Sequence, residues 1–117
     1  MAFSKIGIIG TGVIGEALIE VLLHSGLSKD SLFIAEKRGE KRDEIIKKYG
    51  VKELSQQVLL DAVLIAVKPQ DFLTTIKELP SSATDSALIV SFAAGIRIKA
   101  IEENLGGGSR VIRVMPN

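Results

Sequence analysis

Short apolar runs and longer stretches with helical spacing alternate along the whole chain. The first run, Lys5-Ile6-Gly7-Ile8-Ile9, is mostly apolar and rich in β-branched residues, as a strand buried in a parallel sheet is. Behind it Ile14, Leu18, Val21 and Leu22 fall on one face, predicting a helix from Val13 to about Ser25 that stops at Gly26, where glycine takes the left-handed cap. Leu32-Phe33-Ile34-Ala35 predicts the second strand. From Glu40 to Tyr49 the narrow stripe Ile45, Ile46 and Tyr49 stands among charges, predicting a surface helix that ends before Gly50. Val51 begins a short third strand, and Ser55 is placed to cap a brief helix through Leu60. Ala62 to Val67 is a nearly continuous apolar strand, buried on both faces and ended by Pro69. Phe72, Ile76 and Leu79 mark a helix finishing near Pro80, Ala87 to Phe92 a fifth strand, Ile98, Ile101 and Leu105 a helix ended by Gly106, and Val111 to Met115 a sixth strand.

Strictly alternating strands and helices call for right-handed crossovers and an α/β doubly wound parallel sheet, the Rossmann arrangement, with helices on both faces. A chain of 117 residues forms one such domain, residues 1–117. In such a sheet ligands bind in the crevice at the carboxyl ends of the strands. Five segments lie just past strand ends: Gly10 to Gly15, Glu36 to Arg38, Val67 to Pro69, Ala93 to Gly95, and Met115 to Asn117.

The first of these reads Gly10-Thr11-Gly12-Val13-Ile14-Gly15 and opens into the first helix. In this pattern Gly10 permits the tight turn, Gly12 lets the backbone approach a pyrophosphate, and Gly15 lets the helix press on the strand. The first N–H groups of a helix lack internal partners and sit at the positive end of its dipole, so an anion placed there satisfies both. Glu36 follows Gly15 by 21 positions, close to the roughly 20 at which an acidic residue meets the adenosine ribose. The combination predicts dinucleotide binding; the competing structural reading is a glycine turn that only packs strand on helix.

Composition narrows the alternatives. An apolar fraction of 46% with 25% charged residues is ordinary for a globular protein, and a formal charge of +1 gives no long-range pull toward nucleic acid or an anionic membrane. No cysteine is present, which excludes disulfide and thiol chemistry within the chain. No targeting segment or span is visible, and the expected location is the cytoplasm. The single histidine, His24, falls in the last turn of the first helix, where a cation suits the helix terminus. The only linker-like stretch is the small loop Gly106-Gly107-Gly108-Ser109. The chain offers no catalytic triad, metal cluster or paired carboxylates.

At the rim segments the chain resembles the Δ1-pyrroline-5-carboxylate reductases. The resemblance covers the whole sequence: Ile8-Ile9-Gly10-Thr11-Gly12 with Gly15, Ala66-Val67-Lys68-Pro69, Val90-Ser91-Phe92-Ala93-Ala94-Gly95, and Arg110-Val111-Ile112-Arg113-Val114-Met115-Pro116-Asn117. It implies hydride transfer from a reduced nicotinamide to the C=N carbon of a small cyclic imino acid, giving L-proline. It also implies that Ile9, Gly10, Thr11, Gly12, Val13, Ile14 and Gly15 hold the pyrophosphate. Ala66, Val67, Lys68 and Pro69, with Ala93, Ala94 and Gly95, would line the ribose and nicotinamide, and Asn117 would close the nicotinamide end. Lys68 suits charge and hydrogen bonding better than general-acid work, which needs a strongly lowered pKa. No catalytic residue is assigned.

Two departures matter. Family members continue for well over a hundred residues beyond the Met-Pro-Asn turn into a helical domain that forms the homo-oligomer and carries most of the imino-acid site. This sequence stops at Asn117, so the expectation is an isolated cofactor-binding domain, a truncated form inactive by itself. The second departure concerns Glu36, whose carboxylate suits the ribose hydroxyls of NAD and repels the 2′-phosphate of NADP. Lys37, Arg38, Lys41 and Arg42 offer a clamp for that phosphate, or else form a solvated face with Glu40, Asp43 and Glu44 interspersed. The habit of the family points to NADP, with NAD the alternative. Two other readings share the same front half: a related imine or deazaflavin-dependent reductase, and a dinucleotide-sensing module without chemistry.

Overall fold

The computed structural model describes residues 5–105 and 110–114. Its centre is the first apolar run: β1 (Ile6–Ile9) is buried along its whole length, which a strand achieves only with a neighbour on each edge and a layer on each face. Those neighbours are β2 (Leu32–Ala35) and β4 (Ala62–Ile65), both parallel to it. With β3 (Lys52–Glu53), β5 (Leu88–Ser91) and β6 (Arg110–Arg113) they form a six-stranded parallel sheet of order β3-β2-β1-β4-β5-β6.

Alternate residues of each strand feed opposite faces. Ile6, Ile8, Leu32, Ile34 and Ala62 pack with Ile19 of α1 (Val13–His24) and Ile45 of α2 (Gly39–Tyr49). Ile9, Phe33, Val63, Ile65 and Ile89 pack with Phe72 and Ile76 of α3 (Pro69–Glu78), Ala83 of α4 (Ser81–Thr84) and Ile101 of α5 (Ile98–Leu105). The strands run in step, Ile9 beside Ala35 and Ile65, Ile65 beside Ser91, and Ser91 beside Arg113, so their carboxyl ends form one rim. The chain order reverses between β1 and β4, and the crevice of a doubly wound sheet opens at that switch point. Among the described residues no helix is long and apolar enough to cross a membrane.

Most predicted elements are present, with four corrections. The face of α1 is partly rotated: Leu18 and Leu22 pack against the core as expected, but Gly15 and Ile19 are its buried residues, whereas Ile14 is 40% and Val21 63% exposed. The cause is steric, because the helix approaches the sheet through Gly15, which admits only one rotation. No helix forms over residues 55–60, where a turn at Gln56 and Gln57 leads to the buried Leu60. This segment must pass from β3 beyond β2 and β1 to β4, three strand spacings or about 14 Å, and a six-residue helix reaches only about 9 Å. Pro69 does not end β4, which stops at Ile65; it opens α3 at the first helical position, where its missing N–H costs no hydrogen bond. Finally, α4 and a 3-10 turn at Lys29–Ser31 are present without a predicted counterpart. The predicted stops at Gly26 and Gly50 coincide with positive φ at both residues, 105° and 73°. The Gly106-to-Ser109 loop and Met115 lie outside the described residues.

Candidate functional site

The glycine loop joins β1 to α1 in a conformation that requires glycine at two of its positions, Gly10 and Gly15. Gly10 has φ +90° and donates its N–H to the Ala35 carbonyl of β2 at 2.8 Å. A Cβ there would meet the Val67 side chain at 2.8 Å and the Ala66 carbonyl oxygen at 3.0 Å. A Cβ on Gly15 would overlap the carbonyl oxygen of Gly10. Gly12 differs from both: its φ is −73°, and a Cβ built on it meets nothing within 4 Å. Neither backbone conformation nor internal packing requires glycine at position 12. The space in front of it is open and lies at the N-cap of α1, where no side chain caps the helix. That is the geometry an incoming anion fits.

An acidic residue in the first turn of α1 would oppose such an anion, and Glu16 is there. Its charge is drawn away by α2. Tyr49 donates its hydroxyl to Glu16 at 2.6 Å, Lys48 donates at 3.0 Å and Lys41 at 3.2 Å, and these hydrogen bonds, Tyr49's foremost, hold the Glu16 carboxyl down at about 2. The same Tyr49 hydroxyl lies 2.7 Å from Glu20; with one proton it serves one carboxylate at a time.

Glu36 follows β2 and faces the loop rather than solvent, its side chain only 7% exposed. Oε1 accepts from the backbone N–H of Thr11 at 2.8 Å and from its hydroxyl at 2.7 Å. Oε2 accepts from the backbone N–H of Arg38 at 3.0 Å and from its Nε at 3.1 Å. Burial by itself pushes this carboxyl up, but the bonds from Arg38 and Thr11 outweigh it and bring it to about 2, from an ordinary 4.5. A carboxylate held below its ordinary value adds stability that is complete above about 4.5 and is lost as the pH falls toward about 2. Melting temperatures measured from pH 7 down to 2 should therefore drop through that window, and Glu36→Gln should drop less steeply; equal slopes would refute the bonding scheme.

Between these groups runs a cleft of about 580 Å³. One wall is Ile9, Gly10, Thr11 and Gly12, and another is Ala35, Glu36, Lys37 and Arg38. Ala66, Val67 and Lys68 form its β4 side, and Lys68 is exposed at the N-cap of α3. Val13, Ile14, Gly15 and Pro69 flank the cleft without lining it; Val13 is 90% exposed. Ala93, Ala94 and Gly95 follow β5 on the same rim, outside the cleft wall, and Asn117 lies outside the described residues.

Several lining residues were not among the expected site residues. Glu53, Leu54, Ser55 and Gln56 follow β3, and Asp71, Thr75 and Glu78 come from α3, with Leu79 and Pro80 behind them. The strand-end rule applied to β3 would have found the first group. The basic run is ion-paired, mostly across elements. Lys37 meets Glu78 at 3.1 Å, Arg38 meets Glu36, Lys41 meets Glu16, and Arg42 meets Asp43 at 3.3 Å and Glu53 at 3.8 Å.

Residues 5–95 match the family described as NADP oxidoreductase coenzyme F420-dependent. Pyrroline-5-carboxylate reductase of Corynebacterium melassecola is 31% identical over 97% of this chain and 45% of its own length, and that of Mycobacterium leprae is 35% identical over 99% and 42%. The structure of a pyrroline-5-carboxylate reductase from Coxiella burnetii superposes with a TM-score of 0.86 at 28% identity, over 97% of this chain and 44% of that one. The chain thus spans a little under half the length of these relatives. It belongs to the NADP oxidoreductase coenzyme F420-dependent family and matches the N-terminal dinucleotide-binding part of pyrroline-5-carboxylate reductases.

Proposed function

We propose that residues 1–117 are the nicotinamide-dinucleotide domain of a cytoplasmic pyrroline-5-carboxylate reductase that uses NADPH and acts as a homo-oligomer with a helical portion beyond this chain. The observation that carries this reading is the open space at Gly12, which no atom of the described residues fills, at the uncapped start of a helix on the switch-point rim. The N–H groups that open α1 bind the pyrophosphate. Lys37 and Arg38 take the 2′-phosphate, and the segments Ala66 to Pro69 and Ala93 to Gly95 lie along the ribose and nicotinamide. Lys68, exposed at the mouth of the cleft, supplies positive charge and a hydrogen bond toward the cofactor. When bound, the reduced nicotinamide supplies the hydride for the C=N carbon of 1-pyrroline-5-carboxylate. This chain's part is to hold and orient that ring, and it contributes no nucleophile. Asn117 is proposed to close the nicotinamide end.

The family description favours a second reading, in which the same cleft serves hydride exchange with a deazaflavin coenzyme. Similarity to pyrroline-5-carboxylate reductases over 97% of the chain or more supports the first. Parallel calorimetric titrations with NADPH and NADH test the proposal. NADPH is expected to bind about tenfold more tightly, the worth of one or two charge-assisted hydrogen bonds to the 2′-phosphate. Preference for NADH would overturn the assignment of Lys37 and Arg38, and binding of neither would overturn the dinucleotide reading of the cleft.

A further inference from the structure

We infer that Glu36 is a positioning residue, a latch that fixes the glycine loop from the end of β2, and not the acceptor of the ribose hydroxyls that its place in the sequence suggests. This deepens the proposed function and rests on the dinucleotide reading of the cleft. A carboxylate has about four lone-pair sites. Here two donors from Thr11 and two from Arg38 occupy them at 2.7–3.1 Å, and Nη2 of Arg38 adds a longer contact to Oε1 at 3.3 Å. No acceptor capacity is left for a ribose.

The partner residue explains the arrangement. Thr11 stands between Gly10 and Gly12, two residues that have no side chain to anchor and large conformational freedom to lose. Thr11 is fully buried, and its N–H and hydroxyl both end on the same carboxylate oxygen. Together with the bond from Gly10 N–H to the Ala35 carbonyl, this ties the loop to β2 before any ligand arrives, so the phosphate meets a preformed turn. The carboxylate engages the Arg38 guanidinium by Nε and one N–H of Nη2 and leaves its other N–H groups for an anion at the adenosine end.

A latch and a ribose ligand differ in what they do to the two cofactors. Loosening a latch weakens NADPH and NADH equally, whereas loss of a ribose ligand weakens NADH alone. Titrations of Glu36→Gln, Thr11→Val, Thr11→Ser and the Glu36→Gln/Thr11→Val pair with both cofactors decide between them. Glu36→Gln and Thr11→Val should each lower both affinities about tenfold with the NADPH-to-NADH ratio kept within about twofold. The double variant should be no weaker than the worse single, and Thr11→Ser, which keeps both donors, should lose less affinity for either cofactor than Thr11→Val. A tenfold or greater change of the ratio in Glu36→Gln, with Thr11→Val binding normally, would overturn the latch. Amide hydrogen exchange of the ligand-free chain gives a readout independent of the cofactor. The Thr11 N–H should exchange about tenfold faster in Glu36→Gln while the amides of Ile8 and Ile34 keep their protection, which also shows that the sheet is intact. An unchanged Thr11 rate would overturn the latch even if the parent chain bound both cofactors, and failure of the parent chain to bind either, with the Thr11 rate raised as expected, would overturn only the dinucleotide reading.

Discussion

Gly12→Ala leaves the chain folded and lowers its affinity for NADPH by about a hundredfold. The added Cβ meets nothing within 4 Å among the described residues, and φ of −73° suits any residue, so the stability change should stay within about 1 kcal/mol, the scale of an N-cap substitution. The same methyl group stands where the pyrophosphate is proposed to approach the backbone. Forcing a ligand off by one carbon costs about 3 kcal/mol, which is the hundredfold. A melting curve and a titration of the same sample check both halves. Normal binding by a folded Gly12→Ala variant would return the loop to the alternative of a turn that merely packs strand on helix.

Gly15→Ala makes the same chemical change three residues on and should have the opposite signature. Its Cβ overlaps the Gly10 carbonyl oxygen, a backbone atom that cannot turn aside as a side-chain tip does. Either α1 lifts off the sheet, drawing the fully buried Ile19 out of the core, or the Gly10 turn opens and loses its bond to Ala35. Overpacking of this kind costs about 3 kcal/mol, which for a domain of this size is a fall in melting temperature of about 12 °C. Thermal denaturation checks it, and a melting temperature within about 2 °C of the parent would mean that α1 does not approach the strand through Gly15.

The contrast between these glycines also shows where sequence patterns stop being informative. Leu32–Ala35 was legible as a strand because four apolar residues lie between polar flanks, and the stop of α2 was legible because Gly50 takes the left-handed conformation with φ 73°. The orientation of α1 was not legible. Its sequence is apolar nearly all round, with Val13, Ile14, Leu18, Ile19, Val21, Leu22 and Leu23 leaving little polar contrast, and the rotation is decided by one close approach at Gly15. The path over residues 55–60 depends on which strands lie between β3 and β4, and no local pattern carries that order.

The cleft divides in the same way. The walls after β1, β2 and β4 were found because a doubly wound sheet collects them at one rim, whereas Asp71, Thr75 and Glu78 reach it only through the packing of α3 over the sheet. Glu36 was found by its spacing from Gly15, but spacing gives position along the chain and not side-chain direction. The N–H and hydroxyl of Thr11, expected only to help hold the pyrophosphate, are what turn the carboxylate inward.

The most direct measurement is a map of backbone amide shifts as NADPH is added to the isotopically labelled chain. Shifts are expected at Gly10 to Gly15, Glu36 to Arg38 and Ala66 to Lys68, with Lys29–Ser31, away from the cleft, unmoved. Shifts confined to residues outside that rim, or none at saturating NADPH, would contradict the assignment of the cleft to a dinucleotide.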